Sequence, residues 1–157
     1  MAVVSWGEFE AREPEFSARV RKLFEAGRHK TIATLRIDGS PRISGIECTF
    51  DEGELRFGSM SGSRKSEDLH RDPRLAIHGP TFHPEEGMES EWPGEAKIAG
   101  RATPQASTSG ELSADEEGEL FCVDLIEVTV TGLDEHATKL VIESWTPNRG
   151  LARTERD

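Results

Sequence analysis

Residues 31–59 read as three short strands joined by two tight glycine turns, the first of them, Thr31–Ile37, alternating apolar and polar positions with a period that a helix does not accommodate. Asp38-Gly39 is a strong two-residue hairpin signal between Thr31–Ile37 and Arg42–Phe50, and Asp51-Glu52-Gly53 returns the chain as Glu54–Ser59. Turns this short join neighbouring antiparallel strands and set their register, so a meander is expected here, with Ala33, Leu35 and Ile37 sharing one face.

The flanking segments complete the pattern. Ser5 followed by Glu8 fits a capping box, and Phe16, Val20, Leu23 and Phe24 form one helical face behind Pro14. Helix is therefore expected over Trp6–Arg12 and Pro14–Ala26, with Gly27 as the stop. After Ser59 comes a Gly/Ser loop, then a short helix capped by Ser63 and ended at Pro73, then strand over Arg74–Gly79. Residues 80–94 and 104–110 read as loops and Glu111–Gly118 as an acidic helical turn. Glu95–Thr103, Phe121–Thr131 and Lys139–Trp145 supply three more strands, about six to seven in all. A mainly β fold with flanking helices follows, in which a nearly closed barrel removes the sheet edges and a sandwich is the competing architecture.

At 157 residues, with no internal repeat or linker, residues 1–157 read as one domain. Hydrophobic content of 34% is low for an isolated globule, and pairing with a second copy is one way to bury more. The net charge of -11 argues against nucleic acid or an anionic membrane as partner. Residues 85–119 hold ten acids against two bases, so the rest of the chain is nearly balanced and leaves room for a local basic pocket. Cys48 and Cys122 fall inside expected strands without metal-ligand spacing and read as reduced thiols of a cytoplasmic protein. The N-terminus lacks the pattern of a signal peptide, and no run approaches the roughly 18 apolar residues of a spanning helix.

Arg64 and Lys65, at the start of a helix, are the anomaly. The first turn of a helix exposes N–H groups and carries partial positive charge, so two cations there are unfavourable unless an anion sits among them. A phosphate is the natural occupant. His78 and His83 lack a zinc-binding arrangement, so no metal is expected, and no GxSxG elbow marks a serine nucleophile.

DGSPRISG, a following strand, a Gly/Ser loop, SRK and LHRDPRLAI together resemble the FMN-binding split-barrel superfamily, the pyridoxamine 5'-phosphate oxidase-like proteins, over roughly Arg28–Pro80. The resemblance implies a split β-barrel homodimer with flavin sites at the subunit interface. It places the phosphate on Arg42, Arg64 and Lys65 beside Ser63. Ile43, Ser44 and Gly45, with Phe57 and Gly58, then run beside the ring and ribityl chain, and the C-terminal segment offers Trp145 and Arg149 near the ring system. A dianion held by an Arg fork and a Lys at a helix start agrees with the independent reading of the charges.

The chain departs from oxidases of pyridoxamine phosphate at two points. Glu47 stands where they carry a Lys for the substrate phosphate, and the chain has no Tyr. The reading is therefore a flavin-binding oxidoreductase that uses FMN to move hydride or electrons to or from a small molecule. A deazaflavin-dependent reductase and a non-catalytic flavin- or haem-binding protein remain as alternatives. No side chain is identified as catalytic.

Overall fold

The structure is a computed structural model that describes residues 2–105 and 118–157. Two helices open it, α1 (Trp6–Arg12) and α2 (Pro14–Glu25), at the expected positions. Ser5 caps α1 by accepting from the Glu8 N–H at 3.2 Å, Pro14 sits in the first turn of α2, and Phe16, Val20, Leu23 and Phe24 are the apolar face that α2 buries.

Nine strands follow among the described residues: β1 (Lys30–Leu35), β2 (Pro41–Ile46), β3 (Cys48–Asp51), β4 (Glu54–Met60), β5 (Arg74–His78), β6 (Glu95–Gln105), β7 (Gly118–Leu133), β8 (Leu140–Thr146) and β9 (Gly150–Arg156). The helix α3 (Arg64–Arg71) lies between β4 and β5. The strand count corrects the expected six to seven in two places. The run Arg42–Phe50 breaks at Glu47 into β2 and β3, and Gly150–Arg156 adds a hairpin partner to β8. Pro104 and Gln105 extend β6 and Gly118 begins β7, while the loop and acidic turn expected between them lie outside the described residues.

All pairings are antiparallel, in the order β2-β1-β5-β6-β7-β4-β3, with β8 on β7 and β9 on β8. The expected meander does not form, because β2 pairs with β1 and β3 with β4. The two ends of that path are consecutive in sequence, with Glu47 alone between them, so the sheet rolls until its edges are side by side without pairing. This is a split barrel: the sheet is rolled but not closed, and the seam lies between β2 and β3. The 16-residue β7 is its spine, carrying β6 on one side and, on the other, β4 along its first half and β8 along its second.

Two positive-φ residues, Glu52 and Gly53, make the β3–β4 turn, the mirror-image geometry that suits strand twist. A Cβ at Gly100 would collide with the Asp124 carbonyl, and Gly100 stands where the β6–β7 register shifts by one residue. Ile32, Leu55, Phe57, Ile77, Ile98, Phe121, Val123 and Leu125 fill the barrel, and α1 and α2 close it with Trp6, Phe9 and Phe24. On β1 the inward face is Lys30, Ile32 and Thr34; Ala33 and Leu35 share the opposite face, and Ile37, expected to continue their row, is 85% exposed beyond the strand end. Both faces of β1 carry apolar residues, so alternation alone does not choose between them. No helix among the described residues is long and apolar enough to cross a membrane.

Candidate functional site

The hairpin β1–β2 and the start of α3 meet at the barrel seam, and their side chains enclose an open groove of about 360 Å³. Its lining is Arg36, Arg42, Ile43, Ser44, Met60, Ser63, Arg64 and Lys65. Four of these carry positive charge and none is acidic, in a chain whose net charge is -11.

Each position follows from local chemistry. Ser63 is extended and its Oγ accepts from the Ser66 N–H at 3.2 Å, which fixes the first turn of α3 where Arg64 and Lys65 stand. Ser59, at the far end of β4, holds the Ser63 hydroxyl at 2.9 Å and ties the loop to the sheet. Gly62 supplies the positive φ that turns the chain between them. Lys65 is half-buried, reaches the Gly45 carbonyl at 3.5 Å, and burial pushes its amine below the ordinary lysine value. Arg64 is 80% exposed, with Glu67 3.9 Å away as its ion-pair partner among the described residues.

Arg42 enters from β2. Its Nε donates to Asp68 Oδ2 at 2.7 Å, and its terminal Nη groups make no hydrogen bond among the described residues. Asp68, on α3, is 3% exposed and also accepts from Thr34 Oγ1 at 2.8 Å and Arg71 Nη2 at 3.0 Å. Burial alone would raise this carboxyl, but the bonds from Arg42, Thr34 and Arg71 and the charge of Arg42 hold it below the usual range.

The structure thus brings Arg42, Ile43, Ser44, Ser63, Arg64 and Lys65 together around one groove, with Gly45 attached through its carbonyl. The other expected residues lie elsewhere. The Phe57 ring is inside the barrel, stacked on Phe121, because β4 turns Leu55 and Phe57 inward. Gly58 next to it is exposed. Trp145 is 1% exposed and packs on Phe9 at 4.7 Å in the core. Arg149, in the β8–β9 turn, donates to the Ser144 carbonyl at 2.7 Å and does not line the groove.

Sequence reasoning missed Arg36, Met60 and Asp68. Arg36 follows the last residue of β1 and Met60 is the last residue of β4, and only the folded hairpins decide where such strand ends point. Asp68 was legible in principle, since a carboxylate four residues after Arg64 lies on one face of α3 with the cations. No group of three or more His, Cys, Asp or Glu residues with metal-ligating geometry occurs among the described residues. His78 instead hydrogen-bonds the Gly79 carbonyl at 2.6 Å and contacts Glu95 at 3.2 Å.

The model of the pyridoxamine 5'-phosphate oxidase family matches residues 16–134. No curated protein matches the chain. Among solved structures, a pyridoxamine 5'-phosphate oxidase-related, FMN-binding protein of Nostoc punctiforme PCC 73102 is similar over all of both chains, with a TM-score of 0.60 at 16% identity. An F420 reductase is similar over 69% of this chain and 94% of its own, with a TM-score of 0.51 at 14% identity. A Clostridium acetobutylicum protein of the pyridoxinephosphate oxidase family, related to a general stress protein, is similar over 82% of this chain and 92% of its own, with a TM-score of 0.56 at 12% identity. At such identities the likeness is one of fold.

Proposed function

The chain belongs to the pyridoxamine 5'-phosphate oxidase family, and on that premise we propose that it is an oxidoreductase that binds FMN through its phosphate in the groove at the start of α3. The observation that carries this reading is the gathering of Arg36, Arg42, Arg64 and Lys65 around one cavity with no acid among its lining. The donor set fits a phosphate. Arg42 presents terminal amino groups unpaired among the described residues, and Lys65 is an amine under desolvation that an anion would relieve. Ser63 and the first-turn N–H groups of α3 add neutral donors.

When bound, the flavin supplies hydride and electron transfer. The chain's own part is to neutralise the phosphate at α3 and to lay the rest of the cofactor along β2, where Ile43 and Gly45 are exposed. At Gly45 there is open space where a side chain would stand. The substrate is a small molecule other than pyridoxamine phosphate. By the family resemblance, Glu47, here ion-paired to Arg28 at 2.7 Å, stands where oxidases of pyridoxamine phosphate carry a lysine for the substrate phosphate, and a carboxylate there disfavours that anion.

The functional unit in this reading is a homodimer. Ile43, Ala33, Ala76 and Ala99 stand in register across β2, β1, β5 and β6 on the outward face, with Ile43 74% exposed. Such a flat apolar row suits burial against a second copy and would enclose the open side of the groove.

A deazaflavin coenzyme is the second reading, favoured by the likeness to an F420 reductase, and its phosphodiester and acidic tail would use the same cations. Spectral titration of the purified protein with FMN and with the deazaflavin separates the two. Replacing Arg64 and Lys65 with Ala should abolish retention of FMN while the circular dichroism spectrum stays unchanged; unaltered flavin affinity in that variant would overturn the assignment.

A further inference from the structure

We infer that Asp68 is the positioning residue of the anion site: it holds the Arg42 guanidinium by Nε so that both terminal amino groups are presented to the groove. The inference rests on the reading of that groove as a phosphate site. An arginine on an edge strand, beside open solvent, samples many rotamers, and ordering it costs side-chain entropy. Here that cost is met before any ligand arrives. Asp68 is buried at 3% exposure and is fixed from the other side by Thr34 and Arg71, so it is a rigid acceptor. Arg71 also donates to the Leu35 carbonyl at 2.7 Å, which locks α3 to the end of β1. One carboxylate thus connects β1, β2 and α3 and ties the two groove-lining elements β2 and α3 together.

The geometry also decides which face of the guanidinium is free. A carboxylate that engaged both Nη groups would neutralise the arginine end-on and withdraw it from a ligand. Binding through Nε alone leaves the distal edge available, on a side chain that lines the cavity. Asp68 carries one negative charge against Arg42 and Arg71 together, so the cluster keeps a positive excess toward the groove. A merely structural ion pair would lower affinity for any ligand through loss of fold. A positioning role acts on the phosphate alone.

The test compares FMN with riboflavin, which lacks the phosphate, by fluorescence titration of the wild type and of Asp68→Asn. The wild type should prefer FMN, and Asp68→Asn should lower FMN affinity at least tenfold while riboflavin affinity changes less than twofold. A second pair covers the case in which Asp68→Asn folds poorly. Arg42→Ala and Arg42→Ala/Asp68→Ala should show the same FMN-to-riboflavin ratio, because without Arg42 the carboxylate has nothing to position. A preference that survives Asp68→Asn, or a ratio that falls further in the double variant than in Arg42→Ala, overturns the inference and leaves the phosphate reading standing. Equal affinity of the wild type for FMN and riboflavin overturns the phosphate reading itself, and this inference with it.

Discussion

Phe57 and Phe121 face each other as direct cross-strand partners on β4 and β7, with ring centroids 5.4 Å apart and planes only 18° from parallel. Both are buried, at 2% and 0% exposure, so the stack belongs to the barrel interior. It joins the spine strand to the strand that leads into the Gly/Ser loop, one loop away from Arg64 and Lys65.

Phe57→Ala should therefore lower stability by about 3–5 kcal/mol, the usual cost of emptying a buried aromatic site. Chemical denaturation checks the loss. Flavin affinity per folded molecule should change little, since the ring does not reach the groove; a large loss of affinity in folded protein would show that Phe57 contacts the cofactor.

Gly100 marks the β6–β7 register shift, and any side chain there meets the Asp124 carbonyl. Gly100→Ala should cost at least about 1–3 kcal/mol, because main chain must move to admit one methyl group. By contrast, Gly45→Ala has open space around its Cβ and should leave the melting temperature nearly unchanged. Paired thermal melts of the two variants test both statements.

Acid should destabilise the fold through identifiable carboxylates. Asp68 is held low against its burial by Arg42, Thr34 and Arg71, Glu119 by Ser66 and His70, and Asp72 is brought down to about 2 by Arg74. A folded-state value below the unfolded one gives stability that is complete above the ordinary carboxylate value of about 4 and is lost as pH falls through the folded value. Asp124, raised by burial and by Glu54, works in the opposite sense. The melting temperature should fall between about pH 4 and 2, and Glu119→Gln should flatten that fall.

Cys48 and Cys122 should resist thiol reagents in the native protein at pH 8. Burial pushes each thiol up to about 11, which leaves little thiolate for attack. Both should react fully once the chain is unfolded in guanidinium. Rapid modification of the folded form would show that the barrel opens near the seam or β7.

The outward row through Ile43 gives the last test. Ile43→Asp should shift the protein toward a monomer in light scattering and weaken FMN retention together, if a second copy covers the groove. A dimer that persists with unchanged affinity would place the contact elsewhere.

What the sequence by itself determined was local. Ser5, Pro14 and Ser63 announce their helices because capping is a matter of one residue and its neighbours, and α1 and α2 begin where those signals stand. Asp38-Gly39 and Glu52-Gly53 announce their turns for the same reason. The cationic pair Arg64-Lys65 stands out in the sequence because its conflict with the helix dipole lies within a single turn, and the structure sets both residues on one groove. Only the tertiary structure decided which strands pair, that the run Arg42–Phe50 breaks at Glu47 to open the seam, and that Trp145 and Phe57 turn inward. Those outcomes depend on how a rolled sheet brings distant segments together. Thr34 and Arg42 are cross-strand partners in one hairpin, but Asp68 comes 34 and 26 residues after them, and only the packing of α3 on that hairpin brings its carboxylate to both.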